Sequence, residues 1–447
     1  MNKEERINYV KDGDLGKVLL AMGLPTLTGM AVNALYNIVD AYFVSGLGTS
    51  QLAAVAIILP LIHIIVGIGL TFGVGSASYI SRMLGAGNRE LASKTASLAI
   101  FYCFSASGTL VLSCFLFMKP LLYALGATDT IYPFARQYAF IILSGAPLSA
   151  FCITTGNITT AQGQARLTMT VMLTGALLNI FLDPIFIYTL DFKIRGAAIA
   201  TVISQITTTS LYVHFLLSKR GYLEISVKKA GFDRGILFEI FQVGVAAFLY
   251  QLLASVAIGL TNNQAKVFGD DAVAAMGIVM RVMSLGAFIV FGFLKGYQPV
   301  VGINFGANNE KRVREAIHII LRWSGIFCFL FGTTVAIFSV PITSAFANGV
   351  QHVVDIASRA MRANGVVFWL FGFHIAYSSA FLAMGRGKEG GVLNVSRQGI
   401  FFLPLIVVLP KFLGLDGIIY AQPAADVLSV LLTFALVRHN KDKLPLY

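Results

Sequence analysis

The sequence predicts an all-α polytopic membrane protein with twelve transmembrane helices, arranged as two related six-helix bundles around a central cleft. Composition is the first indication, because 57% of the 447 residues are hydrophobic and only 12% are charged, whereas soluble proteins average about 25% charged residues. The second is a string of apolar runs of about 18 residues or more, which suffice to cross a ~30 Å hydrocarbon core as helices. The third is a sequence repeat that relates the two halves of the chain.

The spans follow one another with short polar loops between them, and the alternating pattern of an outer-membrane barrel is absent from the sequence. Hydropathy predicts helices near residues 15–44, 52–78, 95–117, 134–156, 167–190, 196–217, 236–262, 272–299, 315–338, 359–383, 393–413 and 417–437. The longest polar connection separates the first six spans from the last six. We therefore expect an N-terminal bundle at 1–217, a cytoplasmic linker at 218–235 and a C-terminal bundle at 236–447.

The two halves carry matching segments at a constant spacing. LGAGNRE begins at Leu84 and FGANNEK at Phe305, while GAAIATVISQ begins at Gly196 and GIIYAQPAAD at Gly417, so both pairs are 221 positions apart. Each half contains an even number of spans, and both copies therefore have the same orientation in the membrane. An axis along the membrane normal should relate them, with a cleft between the copies.

Lysine and arginine residues lie mostly in alternate loops, and the positive-inside rule turns this bias into an orientation. The enriched side holds Lys3, Arg6, Lys11, Lys17, Arg82, Arg89, Lys94, Lys219, Arg220, Lys228, Lys229, Arg234, Lys311, Arg312, Arg314, Arg386, Lys388, Arg438, Lys441 and Lys443. The opposite loops hold Lys119, Lys193, Arg195, Lys266 and Lys411. We expect both termini in the cytoplasm, and the net charge of +12 follows from membrane topology and not from nucleic-acid binding.

Two carboxylates, Asp40 and Asp183, stand alone in long apolar runs of the first half. An Asp at a helix centre costs at least about 2.5–3.5 kcal/mol on insertion scales, so a chain that keeps one usually uses it. Counting 1.5 Å per residue from the predicted helix ends places both acids and Thr201 in the outer-leaflet half. Two acids at one depth predict a site that binds a proton or a cation, and the alternative is a pair of satisfied structural hydrogen bonds.

Polar side chains accompany each acid at helical spacing. Asn179 lies one turn before Asp183, and three polar residues share a face with Asp40 on the first span. Their carboxylate, amide and hydroxyl oxygens are hard ligands, which suit a proton or an alkali cation. The predicted proton- or cation-coupling residues are Asp40, Asp183, Asn179, Thr201, Asn37, Tyr36 and Asn33. If the ion is Na⁺, the expected ligands are Asp40, Asn179, Asp183 and Thr201.

Two prolines accompany the acids. Pro184 follows Asp183 and cannot donate a hydrogen bond to the Ile180 carbonyl, which is left free to ligate an ion. Pro25 lies inside the first span and predicts a kink there, at which the helix could bend when Asp40 changes protonation. The alternative for both prolines is a packing kink, which membrane helices tolerate.

The second half does not repeat the acids, because the position 221 residues after Asp40 is Thr261. Arg281 in the eighth span and Asp426 in the twelfth each lie about nine residues from the outer face at 1.5 Å per residue, and we expect them to pair. Such a pair either fixes helix packing or marks a second functional site. Lys295, deeper in the eighth span, has no evident partner in the sequence, and it either faces a watery cavity or extends toward the inner surface.

The chain resembles the multidrug and toxic compound extrusion (MATE) family, in its DinF/MepA-like branch, over essentially its whole length. The resemblance rests on the MGLP opening, NALYNIVDAYFVSGLG, the LGAGN and FGANN loops, LNIFLDPIF and GIIYAQPAAD. It implies two bundles forming a V-shaped cleft, and export of bulky, often cationic or amphipathic compounds in exchange for protons or sodium ions. It also implies a coupling site at Asp40, Asn179, Asp183 and Thr201, with Pro25 at the position where the first helix bends.

No Walker A pattern, nucleotide motif or hydrolase elbow occurs in the sequence, so we expect an ion-driven secondary transporter and not an enzyme. Its expected partners are small-molecule drugs or organic cations and the lipid bilayer, with H⁺ or Na⁺ as coupling ion and no cofactor. We expect a monomer in the inner (plasma) membrane. One alternative is a flippase for lipid-linked precursors, although only Arg281 and Lys295 could serve as its cavity-facing basic residues. A receptor or a channel is disfavoured by the two-fold repeat and by the lack of a filter-like segment.

Overall fold

Helices make up almost all of the described chain. The computed structural model of the protein describes residues 3–218, 221–226, 229–347, 349–441 and 444–445, and no β-strand occurs among them. The α-helices are α1 (Lys3–Asp12), α2 (Leu15–Ser45), α3 (Thr49–Gly85), α4 (Arg89–Leu116), α5 (Met118–Ala124), α6 (Tyr132–Ala161), α7 (Ala165–Pro184), α8 (Ile194–Leu217), α9 (Arg234–Lys266), α10 (Asp270–Gly306), α11 (Glu310–Ile337), α12 (Ser339–Phe346), α13 (Gln351–Ala383), α14 (Gly387–Val395), α15 (Phe402–Leu413) and α16 (Leu415–Asn440). The basic residues Lys219, Arg220, Lys228 and Lys443, used above for orientation, lie outside the described residues.

Twelve segments of the described chain are long and apolar enough, by length and composition, to cross a membrane. They are α2, α3, α4, α6, α7 with the π-helical turn that follows it, α8, α9, α10, α11, α13, α14 joined to α15 through a second π-helical segment, and α16. The predicted fold class is thereby confirmed. Three short helices, α1, α5 and α12, were not predicted, because each is too short to give a hydropathy signal of its own.

The sequence repeat reappears in the helix boundaries. α3 and α10 begin and end 221 positions apart, and so do α4 and α11. The two matching loops also share their capping chemistry, because the side chains of Asn88 and Asn309 each accept a hydrogen bond from the backbone N–H three residues later, at 3.0 and 3.3 Å. The two bundles are therefore built to one plan.

The two bundles meet along an approximate two-fold axis. Since twelve spans alternate in direction, both chain ends lie on one side of the array, which we call the terminal side, and the opposite side is the far side. On the terminal side, a Cβ on Gly85 of α3 would overlap the Ile303 carbonyl of α10, and one on Gly306 would overlap the Arg82 carbonyl. The repeat relates these two contacts, because Gly306 and Ile303 lie 221 positions after Gly85 and Arg82. The two-fold axis therefore passes between α3 and α10.

The bundles separate toward the far side, as one face of α10 demonstrates. Gly292 on this face packs against Leu27 of α2, where there is no room for a Cβ. Phe288 and Leu285 occupy the same helical face one and two turns nearer the far side, yet 42% and 47% of their surfaces are exposed. The same face therefore passes from a tight contact into open space, and the central cleft opens to the far side.

Ion pairs connect the elements on the terminal side. Arg82 of α3 donates to the Glu239 carboxylate of α9 at 2.7 Å and so bridges the bundles. Lys94 donates to Asp233, the residue that caps α9, at 2.6 Å. The Lys94 ammonium is the main reason that the pKa of the Asp233 carboxyl lies below its ordinary range, and the capped backbone N–H groups act in the same direction.

Candidate functional site

The two acids of the first bundle contact each other. Asp40 lies five residues before the end of α2 and Asp183 is the penultimate residue of α7, so both lie in the far half of the bundle. Asp183 is completely buried, and Asp40 is partly buried. Their carboxyl groups lie within hydrogen-bonding reach of each other. Ionised carboxylates only accept hydrogen bonds, so a hydrogen bond between these two groups requires one of them to carry a proton.

Neutral polar groups surround the acid pair. The Asn179 amide satisfies both of its neighbours when its nitrogen donates to Asp183 Oδ2 at 3.0 Å and its oxygen accepts from the Thr201 backbone N–H at 3.2 Å. The Tyr36 hydroxyl contacts the Thr201 hydroxyl from α2. The structure thus brings together five of the seven predicted coupling residues: Asp40, Asp183, Asn179, Thr201 and Tyr36.

The other two predicted residues lie apart from this cluster. Asn33 and Asn37 are exposed, and the Asn37 amide donates to the Asn33 carbonyl oxygen at 2.8 Å and to its side-chain oxygen at 3.2 Å. Of the polar residues predicted to share a face on α2, only Tyr36 and Asp40 therefore pack against α7 and α8. Sequence reasoning missed Tyr138 of α6, which is buried beside Asp40 and Asp183. Its depth was the available signal, since it lies near the far end of the fourth predicted span.

The prolines occupy two different settings. Pro25 is buried within α2, which continues as a helix on both sides of it. Pro184 is the last residue of α7 and is followed by a π-helical turn at Ile185–Thr189, a feature that often occurs at functional sites. In this turn, the Tyr188 hydroxyl donates to the Phe43 carbonyl at 2.7 Å. The segment after Pro184 is thereby attached to the far end of α2, close to the acids.

The predicted pairing of Arg281 with Asp426 is wrong. Asp426 accepts from Arg397 Nε at 2.7 Å and Nη2 at 3.3 Å, and from the Gln422 amide at 2.7 Å. Arg281 is exposed on the cleft-facing side of α10. Depth along the membrane normal suggested the pair, but the two side chains point in different directions around their helices. Arg397 was overlooked because it lies near the predicted start of the eleventh span, where a basic residue would ordinarily face the membrane surface.

Lys295 lies apart from the acid pair, between the two bundles. It is partly buried on α10 and lines a small pocket that also includes residues of α3, α6 and α13. Of the two settings expected for it, the structure therefore agrees with a cavity and not with an extended position at the membrane surface.

The sequence matches the family described as MatE over residues 25–185 and 245–408, which cover most of both bundles. The chain belongs to the MATE family. The resemblance drawn from the sequence motifs is confirmed, and so is the expectation of a multi-pass membrane transporter that is not an enzyme. Membership of an ion-coupled family also agrees with the absence of a nucleotide motif from the sequence.

Relatives of this chain align with it over almost its entire length. Multidrug export protein MepA of Staphylococcus aureus (strain MRSA252) is 25% identical over 445 residues, which are 99% of this chain and 98% of that protein. A MATE structure solved in complex with MaL6 has a TM-score of 0.92 at 27% identity, covering 97% of this chain and 98% of that one. A multidrug resistance MATE transporter of the MOP superfamily, solved in an outward-facing conformation, has a TM-score of 0.91 at 27% identity, covering 98% of both chains.

Proposed function

We propose that this MATE-family chain is a secondary active multidrug exporter, which extrudes bulky organic cations and amphipathic compounds in exchange for a coupling cation. The observation that carries the coupling is the close contact between the Asp40 and Asp183 carboxyl groups within the first bundle. The names of the related multidrug export proteins support the substrate class. The open cleft between the bundles supports alternating access as the mechanism.

The close contact of the two acids leads us to propose a proton as the coupling ion, with Na⁺ at the same residues as the alternative. With its nitrogen donating to Asp183, the Asn179 amide turns its oxygen toward the Thr201 backbone and away from the acids. A Na⁺ ion held by Asp40, Asp183, Asn179 and Thr201 needs that amide reversed, so that four oxygens converge.

Loss of the shared proton would drive α2 and α7 apart at their far ends. Two carboxylates facing each other in a low-dielectric interior repel, and Asp40 has more space to move away because it is only partly buried. The terminal half of α2 is held against α10 at Leu27. Pro25 lies beside that contact and lacks a backbone N–H, so bending at this point breaks few hydrogen bonds. Reprotonation draws Asp40 back to Asp183, narrows the first bundle and expels the compound.

The orientation follows from the charged loops. We place the terminal side in the cytoplasm and the mouth of the cleft outside the cell, in a plasma membrane, because the basic loops lie on the terminal side. The division into bundles at 1–217 and 236–447 with a linker at 218–235 is supported by the end of α8 at Leu217 and the start of α9 at Arg234. One chain contains a complete cleft and acid pair, which supports function as a monomer.

Efflux of ethidium from proteoliposomes under an imposed pH or Na⁺ gradient tests this proposal. We expect a pH gradient to drive export by the wild type, and Asp40→Asn and Asp183→Asn each to lower the initial rate by about tenfold or more, because neither amide can exchange the coupling proton. Asp191→Asn is the matched control, since this acid is exposed in the loop that follows the span of Asp183.

The outcomes separate the parts of the proposal. Export by both variants at wild-type rates would make the acid pair structural and would contradict the coupling site. Export that follows only the Na⁺ gradient would replace the proton with sodium at the same residues. A correctly folded Asp191→Asn protein should transport within about twofold of the wild type, because an exposed carboxylate contributes little to stability.

A further inference from the structure

Lys295 is a cation inside the joint between the bundles. Its side chain lines a pocket formed by α3 and α6 of the first bundle and by α10 and α13 of the second. Gly292 lies about one turn from Lys295 on α10, nearer the far side, and contacts α2 too closely to leave room for a Cβ. The pocket therefore lies at the base of the cleft, where the two bundles come together.

No carboxylate lines this pocket. α3 and α6 contain no acidic residue, and the acids of α10 and α13 lie near the far ends of those helices. Glu239 of α9 is bonded to Arg82 at 2.7 Å. Asp40, on the neighbouring α2, contacts Asp183. The acids on the helices packed around Lys295 are thus either distant or already paired.

The remaining polar groups of the pocket are neutral and already bonded. Ser78 donates to the Leu382 carbonyl at 2.5 Å, Asn157 to the Ile153 carbonyl at 2.8 Å, and Gln298 to Ser379 Oγ at 3.2 Å. Neutral oxygens can orient an ammonium group but cannot cancel its charge. Because a cation withdrawn from water is costly unless it is paired, an anionic group from outside the chain would stabilise Lys295 in this pocket.

The direction of α10 points this lysine toward the cleft. Side chains on a helix lean toward its N-terminus, and α10 begins on the far side, where the cleft opens. Leu285 and Phe288 follow on the same face nearer the mouth, exposed and apolar. A compound in the cleft can therefore place an apolar body against these two side chains while an anionic substituent reaches down to Lys295.

We propose that Lys295 is an anion subsite of the transport cleft, which takes the carboxylate of an amphipathic substrate whose apolar body lies on Leu285 and Phe288. This inference rests on the proposed export function and specifies, among its amphipathic substrates, compounds that carry a carboxylate, including zwitterions. A bound carboxylate also removes the cost of enclosing an unpaired cation. Such a substrate therefore favours closure of the terminal halves behind it, which is the step that commits it to export.

Equilibrium binding of two matched dyes tests the subsite without any ion gradient, so failure of the coupling proposal leaves this measurement unaffected. Rhodamine 110 carries a free carboxylate, and rhodamine 123 is its methyl ester. Fluorescence anisotropy of the purified full chain in uncharged detergent measures both affinities. We expect Lys295→Met to weaken rhodamine 110 binding by about tenfold and rhodamine 123 binding by less than about twofold, because the loss is confined to the charged contact. Lys295→Arg should retain the preference, and Lys266→Met, at an exposed lysine of α9, should change neither dye.

Several results would overturn the subsite. Equal losses for the two dyes would assign Lys295 a packing role, and no binding of rhodamine 110 by the wild type would exclude a carboxylate as its ligand. The anion could also come from a lipid headgroup, so the titration is repeated in nanodiscs with and without phosphatidylglycerol. If that lipid abolishes the Lys295-dependent preference, the subsite belongs to the lipid. If the preference survives, it belongs to the substrate.

Discussion

Three charged residues within the spans have three different surroundings. Asp183 lies within hydrogen-bonding reach of a second acid, Asp40. Asp426 is neutralised by Arg397 within the second bundle. Lys295 has no acid in its pocket. From these surroundings we propose proton exchange for the first, a structural role for the second and ligand binding for the third.

The Arg397–Asp426 pair should be structural. Only 4% of the Asp426 side chain is exposed, and removal of one partner strands the other charge in the bundle. We expect Arg397→Met to lower the free energy of unfolding by about 3–5 kcal/mol, whereas the double variant Arg397→Met/Asp426→Leu should recover most of that loss. Transport by the double variant should remain coupled.

Thermal unfolding in detergent measures this effect, with a thiol-reactive dye that reports exposure of the buried Cys103, Cys114 and Cys328. The matched control is the pair formed by Arg359 and Asp416, which has a similar distance of 2.9 Å but is about half exposed. Arg359→Met should cost no more than about 1 kcal/mol. An equally small loss in Arg397→Met would contradict a structural role for the buried pair.

At the scale of elements, α3 and α9 approach each other through glycines. Gly244 of α9 faces the Thr71 carbonyl and Gly75 of α3 faces the Ile240 carbonyl, each with no space for a Cβ. Small residues let two backbones approach closely, which is how membrane helices gain van der Waals contact. This contact joins the first bundle to the second, so its tightness helps to determine how far the terminal halves close.

A methyl group at Gly244 should therefore open the terminal side. Gly244→Ala places a Cβ against the Thr71 carbonyl, and overpacking of this kind costs about 1–3 kcal/mol, enough to raise the open population by roughly tenfold. Maleimide labelling of Ser78→Cys, in a background without the native cysteines, measures the opening because Ser78 is buried where α3 of the first bundle meets α13 of the second. Gly259→Ala is the control on the same helix, since nothing lies within 4 Å of its Cβ. Equal labelling in both variants would refute the steric argument.

At the scale of the whole molecule, polar links between the bundles hold the terminal side closed in this structure, and we propose that they form a gate. Arg82 and Glu239 form a direct ion pair across the gate, with 15% and 30% of their side chains exposed. Arg312 of α11 adds a second link, because it donates to the Gly13 carbonyl at 2.8 Å, at the junction between α1 and α2. Alternating access requires these links to break when the cleft opens to the terminal side.

Weakening the ion pair should shift this equilibrium without unfolding the protein. A partly exposed pair is worth about 1 kcal/mol, so Glu239→Gln should raise the population with an open terminal side by roughly fivefold. Electron–electron distance measurements between spin labels at Arg166 and Lys388, which are exposed at the starts of α7 and α14, report the opening. Glu310→Gln, which removes the exposed partner of Arg314, should leave the distances unchanged. Identical distance distributions in wild type and Glu239→Gln would exclude a role for the pair in the gate.

Much of this architecture could be read from the chain because it is encoded locally. Hydropathy located the twelve spans, since each must satisfy the same bilayer thickness by itself. The repeat of 221 positions anticipated the matching limits of α3 and α10, because two copies of one plan fold alike. The depth of Asp40, Asp183 and Thr201 followed from counting residues at a fixed rise.

The sequence by itself determined the fold class, the depth of each polar residue and the family, because these depend on composition, order and spacing along the chain. Only the tertiary structure decided which way each side chain points around its helix and which neighbour it meets. For this reason the sequence could place Asp426 at the right depth and still assign it to Arg281 instead of Arg397. The pocket around Lys295 depends on four helices from both bundles, whose packing no local pattern specifies.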